Sequence, residues 1–273
     1  MELHEIRAHW DTLAKKHGLN LRSTTKTPTI KQLEISAIAR AIERSTTTAE
    51  ASSILEVGCG NGHNIFGLSR LFPHLKFHGI DYSDDMISAA CKLKDELPNC
   101  DLEFSVGDVL NLSATSALKN SYDFVFTDRL LINLNSWELQ QQGIEQLAQC
   151  IKRNGFLIII ENYVQSYANQ NQLRELIGLT PRISDPYNKF IHENLFEEFI
   201  VKKLGFEYIY SENFGSLHDL ILYVLLPHIN DGKVIYDHPL MESVTSLLEQ
   251  MPDYFRNDLG NFGQNKLYLF KKH

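Results

Sequence analysis

The run Glu56-Val57-Gly58-Cys59-Gly60-Asn61-Gly62 constrains this chain more than any other. Three alternate glycines follow an apolar strand at 54–57 and precede a helical pattern at 64–72. The backbone there must turn sharply, visit positive φ and leave space beside itself. From Ser53 onward the same unit repeats. Short apolar strands are expected at 76–80, 102–106, 124–127 and 156–160, with helical spacings between them. Ser83 can cap the helix carrying Met86, Ala90, Leu93 and Leu97, which Pro98 ends; another carries Ile144, Leu147, Ala148 and Ile151. Such alternation predicts parallel pairing with crossover helices on both faces. Phe156-Leu157-Ile158-Ile159-Ile160 is apolar throughout, as a strand buried on both faces requires. A helix near 195–204 and strands near 206–214 and 266–271 complete an α/β, doubly wound, mostly parallel sheet of seven strands. Residues 217–229 fit either a helix or a strand, with the helix preferred.

Residues 1–50 read as an N-terminal helical cap. Ile6, Trp10, Leu13, Ala14 and His17 share one face that Gly18 ends. Helical spacing resumes at Ile30, Leu33, Ala37 and Ala41 and stops in Ser45-Thr46-Thr47-Thr48. Residues 163–194 are polar and aromatic and interrupt the alternation. A single domain over 1–273 is therefore expected, divided into cap (1–50), ligand-binding core (51–162), insertion or lid (163–200) and sheet completion (201–273).

Acids outnumber bases by 34 to 26, a formal charge of −8. Phosphate contacts dominate nucleic-acid affinity, so an acidic chain with only Lys15, Lys16, Arg22 and Lys26 as a basic cluster is a poor nucleic-acid binder. The four cysteines form no C-x-x-C pair and suit free thiols in a reducing compartment. The acidic start and the absence of an apolar run near ~20 residues predict no signal peptide, no membrane span and a soluble, cytoplasmic protein. No metal site is expected. His74 and His78 would lie about 13 Å apart on a strand.

Glu56, Asp81 and Asp108 fall at or just beyond the ends of the first three strands, where open α/β sheets bind their ligands. A dinucleotide loop would need a glycine where His63 stands, and a pyrophosphate would meet the carboxylate of Glu56. S-adenosylmethionine (SAM) has no phosphate. It brings an ammonium, a sulfonium, a ribose diol and an adenine amino group, and three acids in this order can serve them.

The segment 54–62 resembles motif I of the class I SAM-dependent methyltransferases, Gly79-Ile80-Asp81-Tyr82-Ser83 with Met86 resembles their second motif, and Val106-Gly107-Asp108-Val109 their third. Tyr122-Asp123-Phe124-Val125-Phe126-Thr127-Asp128 is similar to the fourth, and Lys152-Arg153-Asn154-Gly155-Phe156 to the turn before the fifth strand. The resemblance covers roughly 53–160 and implies a Rossmann-like fold, SAM as cofactor and S-adenosylhomocysteine as product. It implies further that Gly58, Gly60 and Gly62, with Glu56, cradle the methionyl part, that Asp81 binds the ribose and that Tyr82 and Met86 flank the adenine. Asp108 and Val109 would hold the adenine edge, with Thr127 and Asp128 near the amino-acid end.

The methyl acceptor should sit over the carboxyl edge of the sheet, beneath the cap and the insertion. Arg129, Asn162, Tyr187 and Asn188 are candidate substrate contacts, although Arg129 serves equally as a structural ion-pair partner. His192 and Glu161 are candidate catalytic groups, and Trp10, Thr24 and Thr25 candidate closures over the cofactor. Residues 127–134 with Gly178-Leu179-Thr180-Pro181 and Tyr187-Asn188 are similar to methyltransferases of surface-polysaccharide or natural-product sugars. The expected activity is O-methylation of such a small polar molecule. N-methylation of an amine, or a SAM-binding partner subunit without turnover, are the alternatives. Oligomeric state is left open by the sequence.

Overall fold

The computed structural model describes residues 1–45, 53–95, 100–115 and 122–273. Leu97, Pro98 and Thr46 to Thr48 lie outside the described residues. Seven strands are present: β1 (Ser53–Val57), β2 (Lys76–Asp81), β3 (Leu102–Val106), β4 (Tyr122–Asp128), β5 (Ile151–Asn162), β6 (Glu207–Glu212) and β7 (Asn265–Lys271). They form one sheet in the order β3-β2-β1-β4-β5-β7-β6, with β7 antiparallel to both neighbours and the other pairs parallel. Chain order reverses between β1 and β4, which opens a crevice at their carboxyl ends.

Alternation along the strands divides the core in two. Ile54, Phe77, Phe124, Phe126, Ile158, Ile160, Leu267 and Leu269 face one side. Leu55, Val57, Ile80, Val125, Leu157, Ile159, Tyr268 and Phe270 face the other. On the first side pack α2 (Pro28–Ser45), α3 (His63–Leu71) and part of a later helix; on the second lies α5 (Trp137–Gln149). The helices α1 (Leu3–His17) and α4 (Asp84–Lys94) contact each other. Gly18 closes α1 at φ 52°, and the Ser83 hydroxyl accepts the Met86 N–H at the head of α4.

Three elements depart from sequence expectation. α2 is a core helix and not a peripheral cap: Leu33, Ala37, Ile38, Ala41 and Ile42 are at most 2% exposed against the sheet. The segment expected as an insertion contains a 13-residue helix, α6 (Val164–Leu176). Its stripe is polar, burying Ser166, Gln170 and Arg174, so apolar spacing could not reveal it. Further on, α7 (Glu193–Glu198) continues through a π-helical turn (Phe199–Lys203). The ambiguous stretch is helical, as α8 (Ser216–Leu220), a second π turn (Ile221–Leu225) and α9 (Leu226–Ile229). α10 (Leu240–Gln250) buries Val244 and Leu248 against α2 and was not anticipated.

Candidate active site

The row of side chains facing α2 ends, at the carboxyl edge of the sheet, in polar groups. Glu56 on β1, Asp81 on β2, Asp128 on β4, Asn162 on β5 and Asn265 on β7 continue the apolar rows of Ile54, Phe77, Phe126, Ile160 and Leu267. All five line one cavity of about 540 Å³. The same alternation turns their in-strand neighbours Leu55, Ile80, Thr127 and Glu161 away from it.

Glycine supplies the floor. Gly58 and Gly60 have φ of 78° and 53°, and both line the cavity. The N–H groups of Gly58 and Cys59 donate to the Ile80 carbonyl at 2.7 and 2.9 Å, and that of Gly60 donates to Asp81 Oδ2 at 2.8 Å. Asp81 Oδ1 accepts the Ser83 N–H at 3.0 Å, so the second strand braces the first turn. Asn61 fastens the loop to the α1–α2 connection: its amide donates to the carbonyls of Gly18 and Asn20 and to Ser23 Oγ at 2.7–3.1 Å. Thr24 lies against Gly60, where a Cβ would meet its methyl at 2.7 Å.

Beneath the loop lies a buried charge network that α2 completes. Lys31 donates to Asp128 Oδ2 and lies 2.7 Å from Glu34, three residues along its own helix. Glu34 also holds Arg129 Nε at 3.0 Å and accepts from Asn265, which in turn accepts from Asn162. Asn64 donates to Glu56 Oε1 at 2.7 Å and to Asp128 Oδ2 at 3.0 Å. Burial raises the Asp128 carboxyl, but the cations of Lys31 and Arg129 outweigh it and hold the group below its ordinary value. No cation among the described residues is bonded to Glu56. Burial pushes it up to about 8 despite the Asn64 amide, and pushes Asp81 to about 6 against its two backbone N–H bonds. Two carboxylate oxygens in the cavity wall, Glu56 Oε2 and Asp128 Oδ1, receive no hydrogen bond from the described residues, although Arg129 Nε stands 3.5 Å from the latter.

The roof comes from α1 and the segment after α6. His9 stacks on Tyr187 with ring centroids 4.3 Å apart, and Trp10 meets Tyr187 edge-on and donates to Asn133 Oδ1 at 3.3 Å. His9 Nε2 is buried without a hydrogen-bond partner, and burial lowers the imidazole from its ordinary 6.5. Tyr187 donates to Asp185 at 2.9 Å, and Asp185 pairs with Lys26 at 3.2 Å.

The structure thus brings Glu56, Gly58, Gly60, Asp81, Tyr82, Met86, Asp128, Arg129, Asn162, Tyr187 and Asn188 to one cavity, with Trp10, Thr24 and Thr25. Six expected contacts do not line it. Gly62 caps α3 at φ 84°, and a Cβ there would strike Phe66 and Phe104. Asp108 is exposed and spends its carboxylate on the Leu110 N–H, while Val109 packs in the opposite core. Thr127 is fully buried, one residue out of phase with Asp128. Glu161 is likewise out of phase with Asn162: its carboxylate accepts the N–H groups of Leu131 and Ile132 at 2.7 and 3.2 Å, so it holds the turn after β4 and cannot act as the catalytic group. His192 is exposed and borders a separate surface depression beside α6. Arg129 lines the cavity and pairs with Glu34 and Asp128.

Missed by sequence reasoning were Lys31, Glu34, Asn61, Asn64 and His9. Lys31 and Glu34 are spaced i, i+3 like any solvated pair, and only their place on a helix otherwise facing the core marks them.

A methyltransferase-domain family model matches residues 49–198. Over 128 residues the chain is 30% identical to malonyl-[acyl-carrier protein] O-methyltransferase of Bacillus cereus, covering 47% of this chain and 44% of that protein. Over 131 residues it is 24% identical to an uncharacterised protein of Rickettsia prowazekii, covering 47% and 50%. The chain spans about half the length of these curated relatives. Among solved structures, magnesium protoporphyrin IX methyltransferase from Synechocystis with bound S-adenosylhomocysteine matches with a TM-score of 0.56 at 16% identity, over 89% of this chain and 83% of that one. A putative sarcosine dimethylglycine methyltransferase from Galdieria sulphuraria matches with a TM-score of 0.53 at 14% identity, over 88% and 85%. At such identities the structural likeness speaks for the fold. The family match spans more than half of the 273 residues and contains the glycine loop, Asp81 and Asp128. The chain belongs to the class I SAM-dependent methyltransferases.

Proposed function

We propose that this methyltransferase acts on an oxygen of a small polar acceptor, of the sugar or natural-product-precursor class, held between the glycine loop and the roof of α1. The observation that carries the oxygen assignment is His9. Its Nε2 is buried at the cavity wall without a hydrogen-bond partner among the described residues, and burial lowers the imidazole from its ordinary 6.5. A hydroxyl acceptor must lose its proton as it is alkylated, and a neutral imidazole is suited to take it. An uncharged amine needs no such group.

The cavity fits SAM on its own features. Glu56 Oε2 and Asp128 Oδ1 are acceptors awaiting donors and would hold the ammonium. Asp81 keeps free lone pairs for the ribose, Tyr82 and Met86 flank the adenine, and Gly58 and Gly60 let the backbone come close. When bound, SAM supplies an electrophilic methyl group on a sulfonium. The chain contributes alignment, exclusion of water by Trp10, Thr24 and Tyr187, and a proton acceptor at His9 Nε2.

The test is incubation with methyl-labelled SAM and a metabolite extract, followed by identification of the labelled linkage. An ether or ester is expected. Replacing His9 with Gln should lower turnover about 10²-fold. It should also abolish an acidic limb in the rate profile centred below the ordinary histidine value of 6.5. A labelled amine would refute the oxygen assignment, and binding of SAM without any labelled product would favour a partner subunit.

A further inference from the structure

Five lysine and arginine side chains among the described residues line the cavity: Arg22, Lys26, Lys31, Arg129 and Arg182. Four are neutralised. Arg22 pairs with Asp237 at 2.6 Å, Lys26 with Asp185 at 3.2 Å, Lys31 with Glu34 and Asp128, and Arg129 with Glu34 at 3.0 Å. Arg182 is different. Its Nη1 donates to two neutral amide oxygens, Gln170 Oε1 at 2.8 Å and Gln264 Oε1 at 2.7 Å, and no carboxylate among the described residues stands within 4.0 Å of it.

The guanidinium is nonetheless held firmly. It lies over the Tyr223 ring, 3.5 Å from its centroid, with Tyr167 at 5.2 Å on another side. The Arg182 N–H donates to Asn171 Oδ1 at 2.9 Å and its carbonyl accepts from Asn171 Nδ2 at 3.0 Å, which pins the residue to α6. Gln170 is itself fully buried and bonded to the Phe262 carbonyl and Asp219, so it orients the arginine from a fixed position. Arg174, 5% exposed, adds a second guanidinium nearby whose bonds go only to the carbonyls of Thr180 and Tyr223. A half-buried, preorganised cation without a counterion is a ready partner for an anionic group on a ligand.

Building on the methyltransferase function proposed above, we propose that Arg182 is the anchor for a carboxylate on the methyl acceptor, with Tyr223 and Tyr236 walling an apolar or aromatic body beside it. A planar fork suits a carboxylate. A dianionic phosphate is disfavoured because Asp219 and Asp185 line the same cavity, Asp219 accepting from both glutamines that hold Arg182. The two acids do not satisfy Arg182 themselves: Asp219 accepts the Gln264 N–H at 2.8 Å and faces His218 Nδ1 at 2.9 Å, and Asp185 is held by Lys26 and Tyr187.

The test is calorimetric titration of the full chain, first saturated with S-adenosylhomocysteine, with benzoate, benzamide and phenyl phosphate as probes. Benzoate should bind at least about tenfold more tightly than benzamide, and Arg182→Gln should erase that difference while leaving the affinity for S-adenosylhomocysteine unchanged. Equal affinity for benzoate and benzamide, no binding of benzoate, or a preference for phenyl phosphate would each overturn the carboxylate anchor. The probe comparison on the unaltered chain stands even if the variant does not fold. Failure of S-adenosylhomocysteine to bind would instead strike the cofactor site, so the two proposals fail separately.

Discussion

Glu56 is a fully buried acid at the place proposed for the cofactor's ammonium. Burial raises it to about 8, so at pH 7 it is mostly protonated in the free protein. An ammonium placed beside it as proposed would favour the carboxylate and lower that value, so SAM binding is expected to release a proton. The sign follows directly: affinity rises with pH through the window from about 7 to 8. Working at pH 7, below the α-amino range of about 7.7–8.0, keeps the ligand itself charged. Calorimetry at pH 7 in two buffers of different ionisation enthalpy should report close to one proton released for the native chain and close to none for Glu56→Gln. Equal release in both would remove Glu56 from the ammonium site. Asp81, at about 6, is largely ionised already and contributes less. Glu56, Gly58, Gly60, Asp81, Tyr82, Met86 and Asp128 were legible in the sequence because each belongs to a contiguous strand-to-turn motif. Thr127 and Glu161 were not, because a strand sends neighbours to opposite faces and the sequence does not say which one meets the cavity. His9 and Arg182 acquire their surroundings from segments far away in the chain, and no local signal marks them.

At the scale of elements, α2 joins stability to the site. It begins with Pro28, whose missing N–H costs nothing in a first turn, and buries one apolar stripe against the sheet. That same stripe carries Lys31 and Glu34 into the charge network. Ile38 is fully buried, so Ile38→Ala should cost about 2–5 kcal/mol in chemical denaturation. A cost within about 0.5 kcal/mol would return α2 to the role of a peripheral cap. Asn61 provides the second link, from the glycine loop to the α1–α2 connection. Asn61→Ala should raise amide hydrogen exchange at residues 18–25 and weaken binding of S-adenosylhomocysteine. Unchanged exchange there would show that the connection is held by other contacts. The alternation of strands and helices made β1 to β5 legible, because apolar runs and turn residues are local. α6 escaped because its buried face is polar, whereas α10 carries Met241, Val244 and Leu248 at helical spacing, a local signal that was there to be read.

Over the whole molecule, charge is segregated by depth. The net −8 is an average that conceals a paired network under the glycine loop, two carboxylate oxygens there without a hydrogen bond and an arginine without a carboxylate partner among the described residues. No helix among the described residues is long and apolar enough to cross a membrane, and none of their His, Cys, Asp and Glu side chains form a group that could hold a metal ion. The cavity is therefore built between the sheet edge, α1 and the segment after α6, each supplying a different part of the chemistry. The most direct measurement is calorimetric titration of the folded chain with SAM. Saturable binding at one site per chain is predicted, weakened at least about tenfold by Asp81→Ala, which removes the carboxylate proposed for the ribose and bonded to the Gly60 N–H. Absence of binding by protein shown to be folded would contradict the assignment of the crevice, as would an affinity indifferent to Asp81.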